Sequence, residues 1–362
     1  MTNTSNTQIG KRLKRTSFDV FDTAISFVMY LLLQFVILVF FGMFPKEILE
    51  NQYVLIVLQI AIEAVFLLSV YMTSVIRDVE WVQASGYRAK MDGKVWLYGT
   101  IIAVLTLVCF SKLPDLFIYF IQSLGFKYKY NAINVSNFGF FLVALIVHCA
   151  VPAITEETLF RGCICGGLKN KNKHLAVFVS AILFTLMHAT PLQTIHQFVL
   201  GVIYGYIFVY TSNIWISVVA HFLNNGLTIT LYYISSIIHK DAMIEDGTII
   251  EFEQVSGKVL AVNIVYAVVL AAIGVVAIVY LIKSLKRHYQ KNEQVDTANT
   301  NENIDTKTEA CDEDKAEKKN LSTNILNDKS KRQKIWIVVL YVLGGILLLK
   351  DWIDALILGF LL

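Results

Sequence analysis

The stretch Phe138-Gly-Phe-Phe-Leu-Val-Ala-Leu-Ile-Val-His-Cys-Ala-Val-Pro-Ala-Ile-Thr-Glu-Glu-Thr-Leu-Phe-Arg-Gly162 decides the fold of this chain. Its first part, a span over 137–154, is apolar enough to cross a bilayer, whose hydrocarbon core takes about 20 residues of helix. Two adjacent carboxylates and an arginine follow it directly. Similar apolar runs recur along the chain, and spans are expected at 22–44, 53–76, 95–110, 137–154, 175–190, 195–211, 214–237, 259–283 and 335–349. Backbone groups in lipid must be satisfied internally, which leaves helices or a closed barrel. The runs show no alternation of period two, so the barrel is excluded. The expectation is an all-α, multi-pass membrane helical bundle with about eight core spans plus one appended C-terminal span. A further stretch, 352–362, is too short to cross alone.

Composition agrees. Of 362 residues, 56% are hydrophobic and 16% charged, where an average soluble domain has about 25% charged residues. A disordered chain, a coiled coil and a nucleic-acid-binding protein are excluded, and an ordinary soluble enzyme is disfavoured. The net charge of +3 says less than where the basic residues lie. Lys11, Arg12, Lys14 and Arg15 precede the first span. Arg77, Arg88, Lys90 and Lys94 follow the second; Arg161, Lys169, Lys171 and Lys173 follow the fourth; Lys283, Lys286, Arg287 and Lys291 follow the eighth. If the spans alternate, all four groups share one side, and the positive-inside rule places the N-terminus in the cytoplasm of a cell-membrane protein. The segment 239–258, on the other side, is acidic. The first apolar run is too long for a cleaved signal peptide and no small-residue cleavage site closes it.

The chain therefore divides into a basic cytoplasmic N-terminus (1–21), N-terminal membrane spans (22–136), a membrane core (137–283), a charged linker (284–334) and a last span (335–362). The linker has almost no large apolar residues and is expected to be disordered and cytoplasmic. The cysteines Cys109, Cys149, Cys163, Cys165 and Cys311 are odd in number, and Cys163 and Cys165 are too close for a C-x-x-C pair, which argues against a disulfide framework.

Chemistry must come from polar residues at membrane depth, which are expensive in lipid. Three clusters stand out between 150 and 230. In the first, Glu157 and Arg161 are four apart and share a helical face, while Glu156 lies about 100° around. A carboxylate in a dry site can act as general base; the structural alternative is a solvated helix end. The second is Phe184-Thr-Leu-Met-His188, with Phe184 and His188 on one face; the alternative is an interfacial histidine. The third is His221-Phe-Leu-Asn224-Asn225, where His221 and Asn225 present an imidazole and an amide together and Asn224 points away. The alternative is an interhelical hydrogen-bond pair.

Taken in order, Glu-Glu-x-x-x-Arg, Phe-x-x-x-His and His-x-x-x-Asn on successive membrane helices resemble the CPBP family, the CAAX-protease and bacteriocin-processing (Abi) intramembrane endopeptidases. Gly201 and Gly205, at the small-x-x-x-small spacing that lets helices approach closely, fit the same pattern. The resemblance covers about 137–230 and makes 137–283 a CPBP-like catalytic membrane core. It implies that Glu156 is a general base acting with His188 on a water. It also implies that Glu157 and Arg161 brace that helix, with Phe184 beside them, and that His221 and Asn225 hold the oxyanion. The implied activity is cleavage of a peptide bond near the membrane interface, with a peptide or protein substrate, the lipid bilayer and a membrane-protein partner as surroundings, and no nucleic acid.

No cofactor is implied by the glutamate mechanism. Zinc stays open, since Glu156, His188 and His221 from different helices could bind it with a position left for water. A second reading is a non-catalytic scaffold, regulator or bacteriocin-immunity protein on the same fold. A third, a transporter, rests on Glu63 in the middle of the second span; no inverted repeat supports it, and Glu63 has the alternative of pairing with a neighbouring helix. His148 reads as a satisfied bundle histidine and His196 as interfacial, near the outer face.

Overall fold

Asp19 caps the first helix, α1 (Val20–Gly42): its carboxylate accepts from the Phe21 and Asp22 N–H groups, and the Asp22 carboxylate accepts in return from the Asp19 N–H. This reciprocal box satisfies donors that a helix start leaves free. Asp22 is fully buried and also takes Arg15 at 2.9 Å and Arg77 at 2.8 Å. Arg77 closes α2 (Gln52–Ile76), so one carboxylate ties the start of the first span to the end of the second. Burial pushes Asp19 up, but the Asp22 N–H, Arg15, the Phe21 N–H and Arg77 together outweigh it and hold that carboxyl below its ordinary value.

The computed structural model describes residues 14–130, 133–239, 244, 246–302 and 322–362, with the backbone alone over 290–302 and 322–334. After α2 come α3 (Gly93–Phe110), continued beyond Ser111 by α4 (Lys112–Ser123), and α5 (Phe138–Leu168). Then follow α6 (Lys173–Met187), α7 (Thr194–Thr211), α8 (Ile214–Ile238), α9 (Gly257–Glu302) and α10 (Ser322–Leu361). Among the described residues, eight helical stretches are long and apolar enough to cross a membrane, and α6 is a shorter apolar helix beside them. Two short strands, β1 (Tyr128–Lys129) and β2 (Ile249–Ile250), pair antiparallel between the loops before α5 and before α9.

At the centre lies α5, packed against α1, α2, α6, α7 and α8. It is not a uniform α-helix: Ile146–Ala150 and Thr158–Cys165 are π-helical and flank the α-helical turns Val151–Glu157. Pro152 sits at the start of those turns and has no N–H, so it cannot satisfy the carbonyl of residue 148 one turn earlier. The α6–α7 contact is close because a Cβ on Gly201 would lie 2.9 Å from Ala181 Cα, and one on Gly205 3.0 Å from Val177 Cγ1. Of the helices that could span, α8 is the most buried, at 56%, and α10 the least, at 11%.

Three boundaries differ from the sequence reading. The fourth span does not end at 154: α5 runs on to Leu168, because the acids and arginine that look like a helix end are buried in the bundle. The stretch 352–362 is not separate but the second half of the unbroken Ile335–Leu361 helix, where Trp352 Nε1 donates to Thr194 Oγ1 at 2.8 Å. The boundary at 284 is not a helix end, since α9 continues to Glu302 and α10 begins at Ser322; residues 303–321, including Cys311, lie outside the described residues. Cys109, Cys149, Cys163 and Cys165 are buried and unbridged.

Asp22→Asn removes a buried charge shared by two part-exposed arginines, which water can then reach, and should cost about 1.5–3 kcal/mol, read as a lowered Tm in detergent. Because Asp19 is held low, its contribution to stability is present above 3.8 and lost as the pH falls below that ordinary value. The acid limb of a Tm–pH curve should therefore flatten in Asp19→Asn.

Candidate active site

Four helices, α5 to α8, meet at the polar centre. From α5 come Glu156, 6% exposed, and Glu157 and Arg161, each fully buried. Glu157 Oε1 is 2.9 Å from Arg161 Nη1, an ion pair rather than an aligned hydrogen bond, and 3.1 Å from His221 Nδ1 on α8. One carboxylate oxygen thus faces both a guanidinium and an imidazole. The guanidinium lies 4.2 Å from the Phe184 ring centroid on α6 and 5.3 Å from that of Tyr204 on α7. Two aromatic faces offset part of what burial takes from the cation.

His221 Nδ1 meets a carboxylate, so that nitrogen carries the hydrogen and Nε2 is turned the other way. Nε2 is 3.9 Å from Glu156 Oε2, beyond a direct hydrogen bond. Glu156 Oε2 is itself buried with no hydrogen-bond partner among the described residues. The Tyr204 ring lies 6.0 Å from the His221 ring.

His188 closes α6. Its Nδ1 is 2.8 Å from the Phe184 carbonyl oxygen, one of those a helix end leaves unsatisfied, so Nδ1 donates and Nε2 is left to face other groups. The turn is sharp: Ala189, the next residue, has φ +47°. The Phe184 ring stands 5.0 Å from that of His188 and 6.2 Å from that of His221, so one aromatic side chain separates and spaces the two imidazoles.

Asn225 Nδ2 donates to the His148 carbonyl oxygen at 3.1 Å, the carbonyl that Pro152 cannot satisfy. One of its two amide hydrogens is therefore engaged and the second is not needed there. Asn224, one residue earlier, is buried; its Nδ2 donates to His196 Nε2 at 3.1 Å and its Oδ1 accepts from Thr106 Oγ1 at 3.3 Å.

The residues singled out in sequence are thus drawn together, with some partners changed. Glu156, Glu157, Arg161, Phe184, His188 and His221 form one contact network. Asn225 sits one turn beyond His221 on the same helix face. Glu157 touches His221 as well as Arg161, so it does more than brace its own helix. His196 is not a lone interfacial residue, since it pairs with Asn224. Glu63 pairs with a neighbouring helix: its Oε2 lies 2.6 Å from Thr155 Oγ1 of α5. Tyr204, in the apolar run of α7, was missed and carries no sequence signal. Asn224 and Glu63 were visible as polar residues within spans, but their partners were not.

Residues 138–227 match the family model of the Rce1-like proteins, type II CAAX prenyl endopeptidases. Every residue named above on α5 to α8 lies inside that segment, whereas Glu63, Thr106, α9 and α10 lie outside it. The match covers 90 of the chain's 362 residues. No curated protein and no solved structure matches the chain.

A zinc site would draw on Glu156, His188 and His221. Among the described residues, no three His, Cys, Asp or Glu side chains are grouped as metal ligands. Glu157 holds His221 Nδ1, and the Phe184 carbonyl holds His188 Nδ1. Both Nε2 atoms are thereby left uncommitted, the arrangement of a metal-ligating histidine as well as of a water-binding one.

Arg161→Leu should leave the Glu157 carboxylate buried without its cation and cost about 3–5 kcal/mol. Thermal unfolding of the detergent-purified variant, followed by tryptophan fluorescence, checks this.

Proposed function

We propose that this chain is an intramembrane endopeptidase in which Glu156 is the general base. The observation that carries the reading is the buried Glu156 Oε2 facing His221 Nε2 across 3.9 Å, with the other nitrogen of that imidazole held by Glu157. A gap of this length suits two groups that address a third atom between them, such as a water oxygen. A general base needs a proton donor within hydrogen-bond reach, and a carboxylate in a dry site offers an uncommitted acceptor.

In the proposed reaction, Glu156 accepts a proton from water as the oxygen adds to the peptide carbonyl carbon, and His188 Nε2 helps to orient that water. The carbonyl oxygen becomes an oxyanion. His221 with hydrogen on both ring nitrogens, Nδ1 on Glu157, donates to it from Nε2, and the second amide hydrogen of Asn225 donates beside it; such donors are each worth about 2.7–4 kcal/mol at the transition state. Glu156 then gives its proton to the departing amine nitrogen as the C–N bond breaks, which restores the starting charges. Glu157, Arg161 and Phe184 hold His221 and His188 in place. The substrate is a peptide or protein presented at the membrane, and a prenylated cysteine near its end follows only from the family description. The distribution of lysine and arginine supports a cytoplasmic N-terminus. The reading requires no metal.

The test compares the full chain in lipid nanodiscs with its Glu156→Gln and His188→Ala variants. The probe is a quenched-fluorescence peptide library made with and without a farnesylated cysteine. Neo-N-termini in the membranes of producing cells supply a second readout. Both variants should lose at least about 100-fold in rate, while a chelator should leave the wild-type rate unchanged. Cleavage by both variants at the wild-type rate overturns the proposal, and loss of activity in the chelator that zinc restores overturns its metal-free form. If Glu156→Gln lacks cleavage yet keeps the cellular phenotype of wild type, the scaffold reading takes its place.

A further inference from the structure

Glu63 belongs to α2, outside the family-matched residues, yet it meets α5 at the residue just before the acid pair. It is 2% exposed and makes no ion pair among the described residues. Its Oε1 accepts from Gln59 Nε2 at 2.9 Å, and its Oε2 lies 2.6 Å from Thr155 Oγ1. Thr155 Oγ1 lies also 3.0 Å from the Val151 carbonyl oxygen.

A hydroxyl carries one hydrogen. If Glu63 were ionised, Thr155 could donate to its Oε2 only by turning away from the Val151 carbonyl, which the Thr155 N–H of the α-helical turn already serves, and the buried charge would rest on two neutral donors. A carboxylic acid keeps every contact at once. Its O–H donates to Thr155 Oγ1, the Thr155 O–H donates to the Val151 carbonyl, and the remaining carboxyl oxygen accepts from the Gln59 amide. A neutral acid also avoids the cost of an unpaired buried charge beside Glu156 and Glu157.

We propose that Glu63 is a positioning residue that works as a neutral acid, clamping through Thr155 the turn of α5 from which Glu156 projects. This rests on the reading of Glu156 as the base. The clamp crosses from one helix to another, so it resists sliding of α5 against α2. Holding packed helices together does not require an acid, which apolar side chains would do at less cost. What the acid adds is a directional link to the residue next to the base. Displacing a reacting group by about 1 Å can cost 10²-fold in rate.

The prediction separates shape from charge. In Glu63→Gln the amide N–H donates to Thr155 and the amide oxygen accepts from Gln59, so kcat should stay within about threefold of wild type. Glu63→Leu and Thr155→Val should each lower kcat on the order of 10- to 100-fold, with KM little changed. Because both break one link, the double variant should fall no further than either single one. Infrared difference spectra of the full chain in nanodiscs give a readout independent of any substrate: the C=O band of a protonated carboxyl should be present in wild type and lost in Glu63→Gln. Wild-type kcat in Glu63→Leu, or additive losses in the double variant, overturns the clamp. A fall in Glu63→Gln as deep as in Glu63→Leu, or no loss of the infrared band, overturns the neutral acid. Glu156→Gln measured alongside keeps the two readings apart. If it is inactive while Glu63→Leu is normal, only the clamp fails; if it is active, the hydrolase reading fails, and the infrared band still decides the state of Glu63.

Discussion

A single buried carboxylate, that of Glu157, joins the parts of this molecule that matter chemically. One oxygen faces Arg161 on its own helix and His221 on α8. Taking such a charge out of water is unfavourable unless partners replace the lost hydration, and each partner brings a further element with it. Arg161 lies over Phe184 of α6 and Tyr204 of α7. Phe184 in turn spaces His188 from His221. The packing of four helices is thereby committed to the geometry of one anion, and Glu156, the residue before it, inherits a defined direction.

A second constraint is local to the backbone of α5. Pro152 and the two π-helical stretches depart from regular hydrogen bonding in the helix that carries the acids. Within a membrane a freed carbonyl must find a donor inside the protein, and Asn225 supplies one to residue 148. The irregularity therefore becomes a helix–helix contact. Irregular turns of this kind recur at functional sites.

Much of this was legible in the residue order. Apolar runs gave the helices, and Glu156, Glu157, Arg161, His188 and His221 stood out because ionisable groups are rare in such runs. The limits of legibility have physical causes. Helical periodicity says which side chains share a face of one helix but not which face of another helix they meet. The contact of Glu157 with His221, and that of Asn224 with His196, were hidden for that reason. The fourth span closed too early because charged residues satisfied inside a bundle read like residues reaching water. The stretch 352–362 looked like a separate piece because Lys350 and Asp351 interrupt its hydropathy, though the helix passes through them unbroken. Tyr204 left no trace, being one aromatic among many.

The placement of His221 and Asn225 one turn apart has a mechanical consequence. Each is latched to α5, the imidazole to Glu157 and the amide to the His148 carbonyl. Two latches on one stripe of α8 set its azimuth. A rotation large enough to release the imidazole would release the amide with it, so these two side chains are held or lost together.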